Sequence, residues 1–195
     1  MEDQTIVASR DLVVTRLHEL AHLARATAAT LPDEIAAAAS LFRSVLAGGG
    51  TLFFCGNGGS AADAQHIATE YVVRYMRNRR ALPAIALTTD TSLLTAAGND
   101  LGFDHVFARQ VEALVAAKDL LVIHSTSGNS PNVLEAAKAA KEKGAKVLAL
   151  SAGDGGELRL LADQTIIVPT DRTDRAQEIH LAIQHVICEL VERDA

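Results

Sequence analysis

The chain has 195 residues, of which 49% are hydrophobic and only 4% are aromatic. This length suits one domain with a sizeable core, and the hydrophobic fraction excludes a disordered chain. The formal net charge is -6 without a basic tract, which argues against wholesale binding of nucleic acid. Cys55 and Cys188, the only cysteines, fall in apolar segments, so we expect buried free thiols in a reducing compartment.

The first residues, MEDQTIVASRD, do not show a basic stretch followed by an apolar one, as a secretory signal would. No apolar run reaches the roughly 18 residues of a membrane span. We therefore expect a cytoplasmic protein that does not associate with membranes.

The hydrophobic pattern predicts two helices between about residues 11 and 48, followed by alternating strands and helices. Pro32, Asp33 and Glu34 begin the second helix, and Gly48–Gly50 ends it. The predicted strands cover residues 51–55, 83–87, 119–125, 145–151 and 164–169. The later predicted helices cover residues 60–75, 91–99, 103–115, 130–144 and 174–193.

The strands are short, continuous apolar runs, which is typical of a parallel sheet covered on both faces. Helices in the connections fit parallel pairing, because parallel strands need long crossovers. We predict an α/β fold with a doubly wound parallel sheet of about five strands, flanked by helices and preceded by two N-terminal helices. Residues 1–195 would form one domain. Ligands in such sheets bind beyond the carboxyl ends of the strands, near the switch in strand order.

The segment Gly56–Ser60 joins the first predicted strand to a helix. Its glycines permit positive φ and close backbone approach, and the helix start offers free N–H groups to an anion. An ordinary turn with Ser60 as the helix N-cap is the simpler interpretation of this segment alone. The pattern is neither GxGxxG nor a Walker motif, so dinucleotides and nucleoside triphosphates are disfavoured.

A second loop, Ser125–Ser130, follows the third predicted strand and precedes a helix at Pro131. It carries four hydroxyls in six residues. One hydroxyl is enough to cap a helix, so the other hydroxyls favour a phosphate site. Both loops fall at the same edge of the predicted sheet.

His66 and Glu70 lie four residues apart, so they share a helix face and form a candidate metal or acid/base pair. The last predicted helix offers further candidates, and spacing does not choose among them. Glu178 and His185 nearly align, while Gln177 and His185 lie roughly 80° apart on one stripe. Gln177 and His180 also form an i,i+3 pair. The histidines for which no partner is evident are interpreted as structural: His18, His22, His105 and His124.

A basic run follows the first of these helices and is predicted to be a solvated surface loop: Arg74, Arg77, Arg79 and Arg80. Arg74 differs, because it lies one turn beyond Glu70 and could reach a bound phosphate.

Four separated motifs occur in one order: CGNGGSAADAQHIATE at 55–70, LTTDTSLLTAAGNDLGFDHVFARQVEAL at 87–114, STSGNSPNVLEAAKAAKEKG at 125–144 and DRAQEIHLAIQHVICELVE at 174–192. From about residue 31 onwards, the chain closely resembles the phosphoheptose isomerases of the sugar isomerase (SIS) domain superfamily. The resemblance implies a cytoplasmic homotetramer with one zinc ion per subunit. It also implies conversion of sedoheptulose 7-phosphate into D-glycero-D-manno-heptose 7-phosphate, the first step toward activated heptoses.

The resemblance also implies roles for individual residues. The implied zinc ligands are His66, Glu70, Gln177 and His185, with Glu70 and His185 as the acid/base pair. The implied sugar contacts are Asn57, Gly58, Gly59, Asn99 and Asp100. The implied phosphate contacts are Ser125, Thr126, Ser127 and Ser130, supplemented by Ser60 and Arg74, and Asp174 would orient groups in the site.

These roles suit the chemistry, because an aldose–ketose isomerisation moves a proton between adjacent carbons and needs one acid and one base. An isomerase that acts on another sugar phosphate is one alternative. Two other classes of SIS protein are alternatives as well. One is a tetramer that binds the bacterial replication initiator and shares the NGGSAA and QE motifs, but it lacks the second histidine of the last helix and has an altered hydroxyl set. The other is a sugar-phosphate-sensing regulator, which needs a DNA-binding domain. His185 and the intact Ser125–Ser130 loop favour the enzyme.

The apolar content of the first two helices, up to about residue 48, exceeds what one exposed helical layer needs. We therefore predict that residues 1–48 mediate oligomerisation, with active sites at subunit boundaries.

Overall fold

The computed structural model describes residues 2–193, so the outermost ends of the predicted 1–195 domain lie outside the described residues. The strands are β1 Leu52–Gly56, β2 Ala84–Ala86, β3 Leu120–His124, β4 Lys146–Ala152 and β5 Gln164–Val168. The helices are α1 Glu2–Thr30, α2 Pro32–Ala47, α3 Gly59–Val72, α4 Thr91–Asp100, α5 Ala108–Leu114, α6 Pro131–Glu142, α7 Leu158–Leu161 and α8 Thr173–Glu192.

All five strands run parallel, in the order β2-β1-β3-β4-β5. The chain passes from β1 outwards to β2 and then crosses back over β1 to β3, so the order switches between β1 and β3. These two strands are buried along their whole length, as continuous apolar runs require. The predicted doubly wound parallel sheet is confirmed.

Alternate side chains of each strand enter two separate cores. Leu52 and Phe54 of β1 join the core under α2, α3 and α8, whereas Phe53 and Cys55 join the core under the helices from α4 to α7. Helices therefore cover both faces of the sheet, which places the carboxyl edge of β1 and β3 at the centre of the molecule.

The structure differs from the predicted elements in three places. Helix α1 begins at Glu2 rather than near residue 11. The single helix predicted at 103–115 is wrong: a 3₁₀ turn at Phe103–His105 precedes the short α5. Adjacent Val106 and Phe107 are both buried, and the break lets both side chains reach the core. Helix α7 was not predicted, because four residues are too few to show helical periodicity.

Helix α1 is long, and much of its apolar surface is exposed. Its exposed apolar side chains include Ile6, Val7, Leu12, Val13, Val14 and Leu17. Within the described part of the chain, no helix combines the length and the apolar character needed to cross a membrane.

Candidate active site

The turn between β1 and α3 brings its backbone close to the last helix. Gly58 has φ of +57°, a conformation that glycine adopts readily, and α3 begins at the next residue. A Cβ atom at Gly59 would lie 2.5 Å from Oε1 of Gln177 on α8, so a larger residue here would displace the Gln177 side chain. The interpretation of Ser60 as the N-cap is wrong, because Gly58 occupies that position and Ser60 lies buried in the first turn.

The hydroxyl loop, residues 125–130, follows β3 at the same edge. Ser130 occupies the N-cap position of α6, but its hydroxyl makes no capping hydrogen bond to the described backbone of that helix. Ser125 is buried, and its Oγ accepts a hydrogen bond from the Gly128 N–H at 3.2 Å. Capping therefore does not account for these hydroxyls, and their Oγ–H groups remain able to donate to an anion.

A cavity of ≈ 230 Å³ lies between the two loops. It brings together nine predicted site residues: Asn57, Gly58, Gly59, Ser60, Ser125, Thr126, Ser127, Ser130 and Gln177. His124 and Thr173 also line it, and neither was predicted to belong to the site. Hydroxyls, amides and backbone N–H groups dominate this lining, which suits a phosphorylated, hydroxyl-rich ligand.

Asn132 joins the two loops and was missed from the sequence. Its amide Nδ2 donates to Asn57 Oδ1 at 2.8 Å, and Asn57 Nδ2 donates back to Asn132 Oδ1 at 2.8 Å. Asn132 is only 2% exposed, so the pair fixes the orientation of Asn57 at the cavity wall. The one available signal was an amide side chain directly after the Pro131 that begins α6.

Helices α3 and α8 bring three predicted metal ligands together. Nε2 of His66 lies 3.0 Å from Nε2 of His185 and 3.4 Å from Oε1 of Glu70. These donor atoms all fall within 4.8 Å of one another. Two imidazoles and one carboxylate match a donor set of catalytic zinc sites, in which a fourth position stays open. The donor chemistry therefore fits a divalent metal ion.

Burial lowers the pKa of His185, the neighbouring His66 lowers it further, and the carboxylate of Glu70 partly opposes both effects. A neutral imidazole is the form that ligates metals, so this environment favours ligation. Gln177 faces Gly59 in the cavity between the two loops, and its role as a fourth ligand stays a prediction.

Four predicted substrate contacts do not line the described cavity between the loops: Arg74, Asn99, Asp100 and Asp174. Arg74 is exposed and lies beyond the end of α3, so it is not on the helical turn after Glu70. Asn99 and Asp100 are exposed at the end of α4 and hydrogen-bond to each other at 2.7 Å. The side chain of Asp174 pairs with Arg172 at 2.6 Å, and this interaction lowers its pKa to about 2.

Arg79 corrects the prediction of a fully solvated basic loop. Its side chain is 5% exposed, and Nη1 and Nη2 donate to the carbonyls of Tyr71 and Glu70 at the end of α3. His124 and His180 are buried, as structural histidines would be.

Comparison with known proteins identifies the family of the chain. The SIS domain family model matches residues 17–152. A phosphoheptose isomerase from Chlorobaculum parvum is 54% identical over 185 residues, which cover 93% of this chain and 88% of the relative.

Two solved structures extend the comparison to the fold. A phosphoheptose isomerase from Neisseria gonorrhoeae is 44% identical with a TM-score of 0.89, covering 94% of this chain and 98% of that one. The corresponding enzyme from Francisella tularensis is 38% identical with a TM-score of 0.92, covering 95% and 98%. With identity of this order along nearly the whole chain and the same fold, the protein belongs to the phosphoheptose isomerase family of SIS-domain enzymes.

Proposed function

We propose that the protein interconverts sedoheptulose 7-phosphate and D-glycero-D-manno-heptose 7-phosphate, an aldose–ketose isomerisation at the start of heptose activation. Its membership of the phosphoheptose isomerase family supports this activity. The observation that carries the proposal is the convergence of His66, Glu70 and His185, from two helices far apart in sequence, into one cluster of donor atoms.

In this proposal Glu70 is the base and His185 is the acid. One carboxylate oxygen of Glu70 faces His66, which leaves the other oxygen to take the proton from the carbon beside the carbonyl. His185 gives a proton to the carbonyl oxygen to form the enediol. Glu70 then returns its proton to the neighbouring carbon, while the hydroxyl on the first carbon gives its proton back to His185 and becomes the new carbonyl. The reaction only moves protons between adjacent carbons and their oxygens, so no redox cofactor is required.

The proposed cofactor is zinc, one ion per subunit, held by His66, Glu70, His185 and Gln177. When bound, the ion would polarise the sugar carbonyl and stabilise developing negative charge. The two histidines and the carboxylate of the cluster support this assignment.

The hydroxyl loop is the proposed phosphate site, and the glycine turn lines the sugar. The hydroxyl loop lines the cavity through Ser125, Thr126, Ser127 and Ser130, and α6 begins directly after it at Pro131. Ser60, Arg74 and Asp174 remain candidate contacts. Asn99 and Asp100 lie exposed on the surface, where they could serve the site of a neighbouring subunit.

We also propose a cytoplasmic homotetramer assembled through residues 1–48. The exposed apolar residues of α1 support burial against other subunits. The free thiols of Cys55 and Cys188 suit a reducing compartment.

Incubation of the purified protein with sedoheptulose 7-phosphate, with and without a chelator, tests the activity. We expect isomerisation that the chelator abolishes and zinc restores. His185→Gln and Glu70→Gln each remove a group that exchanges protons, so turnover should fall about 100- to 10,000-fold. His105→Gln, at an exposed histidine outside the cluster, is the matched control and should retain parental turnover.

Near-parental rates in both site variants would show that these residues are not the catalysts. A parent protein that does not isomerise the sugar but captures a replication initiator would support the initiator-binding class instead.

A further inference from the structure

One buried carboxylate accepts hydrogen bonds from the backbone of the segment that follows α3 and holds that segment in place. Glu192, in the last turn of α8, accepts hydrogen bonds from the backbone N–H groups of Tyr75 at 3.0 Å, Met76 at 2.8 Å and Arg77 at 2.8 Å. Its side chain is only 3% exposed. A buried carboxylate is stable only when its charge and lone pairs are satisfied, and here backbone donors satisfy the lone pairs.

Arg79 balances the charge of Glu192. Its Nε lies 3.4 Å from Glu192 Oε1, while its other nitrogens donate to the carbonyls of Glu70 at 2.6 Å and Tyr71 at 2.8 Å. The guanidinium therefore also satisfies carbonyls at the C-terminal end of α3, where a cation is favourable. We call Glu192, Arg79 and the backbone of residues 75–77 the carboxylate clamp.

The clamp places the ring of Tyr75 on the face of His185. The two ring centroids are 5.4 Å apart and the planes differ by 14°, so the rings are stacked. His185 also contacts His66: the two ring planes differ by 66° and the ring centroids are 5.1 Å apart. A flat ring against one face opposes rotation of the imidazole, and this orientation keeps Nε2 of His185 directed at His66.

We propose that Tyr75 is a positioning residue that fixes the imidazole of His185, and that the carboxylate clamp holds Tyr75 in place. The inference rests on the proposed function, in which His185 ligates the metal and transfers the proton. Tyr75 reaches this position through backbone hydrogen bonds, so a change of its side chain leaves the clamp's donors in place. The alternative is that Tyr75 only fills space, in which case any apolar side chain of similar size would serve.

The two possibilities separate when Tyr75→Phe is compared with Tyr75→Leu. Phe keeps the stacked ring, whereas Leu keeps apolar bulk without a flat face. Met76→Leu, at an exposed neighbour that also contributes only its N–H to Glu192, is the matched control. Zinc affinity is measured on metal-free protein by competition with a chromophoric chelator, and kcat and KM are measured separately.

We expect Tyr75→Leu to weaken zinc binding about tenfold, which corresponds to about 1.4 kcal/mol and lies within the usual range for aromatic pairs. Its kcat should fall by a similar factor with KM nearly unchanged, because the hydroxyl loop proposed to bind the phosphate is untouched. Tyr75→Phe and Met76→Leu should stay within about twofold of the parent. Should Leu disturb the fold by thermal unfolding, Tyr75→Met provides the same comparison, because its flexible chain fills irregular gaps.

Equal zinc affinity and equal kcat in the Phe and aliphatic variants would overturn the proposal. The zinc titration does not depend on turnover. A parent that binds zinc without isomerising the sugar would therefore refute the proposed function and still decide the role of Tyr75.

Discussion

Acidification should destabilise this protein well before its carboxylates titrate, because two histidines are buried in neutral form. His124 ends β3 and His180 lies in α8, and both have 0% exposure. Burial lowers the pKa of His124 to about 3 and that of His180 to about 4. Their contacts agree with neutral rings: the amide of Gln184 donates to Nε2 of His124 at 2.9 Å, and Nε2 of His180 donates to the Ser151 carbonyl at 3.0 Å.

The direction in which pH changes the free energy of unfolding follows from proton uptake. An unfolded histidine has a pKa of about 6.5, so below that pH the unfolded chain binds protons that the folded chain excludes. The histidine contribution to the free energy of unfolding is therefore complete above about pH 6.5 and is lost as the pH falls toward 4. At pH 5 each histidine costs about 2 kcal/mol, and His124 and His180 together cost about 4 kcal/mol.

Urea unfolding at a fixed protein concentration, between pH 5 and pH 8 and with a chelator present, measures this loss. As the pH falls from 6 to 5, the free energy of unfolding of the parent should drop by about 2 kcal/mol. That of His180→Gln should drop by about half as much, because one proton is no longer taken up. Glutamine keeps an N–H donor for the Ser151 carbonyl. Above pH 7 the free energies of unfolding of the parent and of His180→Gln should change with pH in parallel, which is the internal control.

A parent whose free energy of unfolding does not change between pH 5 and 6.5 would refute this reasoning. Equal slopes in the parent and in His180→Gln would also refute it.

Two further predictions concern substrate binding and assembly. Replacing both Ser125 and Ser130 by alanine should raise KM while the fold persists by circular dichroism, since each hydrogen bond lost to a charged group costs about 1.5–3 kcal/mol. Ser44→Ala, at an exposed position of α2, is the control, and an unchanged KM in the double variant would exclude a phosphate role. Light scattering at micromolar concentration should give a tetramer mass for the parent and a smaller mass for Leu12→Glu with Leu17→Glu, because charges on the apolar face of α1 oppose its burial; a monomeric parent would contradict the proposed assembly.

The sequence alone determined the fold class and the position of the loops. Short apolar runs separated by helices predict a parallel sheet, since only strands covered on both faces can be apolar throughout. Because both polar loops follow strands, they had to meet at the carboxyl edge of that sheet. The pairing of His66 with Glu70 was equally local, because residues four apart share one helix face.

Only the tertiary structure decided which residues of the last helix join them. Spacing left His180 and His185 as equal candidates, and the resemblance favoured His185. In the structure His180 donates to a buried carbonyl, whereas His185 lies 3.0 Å from His66, 119 residues away in sequence. The prediction that Arg79 is solvated was wrong because its partner, Glu192, lies at the far end of the chain and local sequence does not reveal the contact. Periodicity reports which side of a helix is apolar, but the neighbour of each polar side chain depends on how α3 and α8 pack, and that packing is a property of the whole fold.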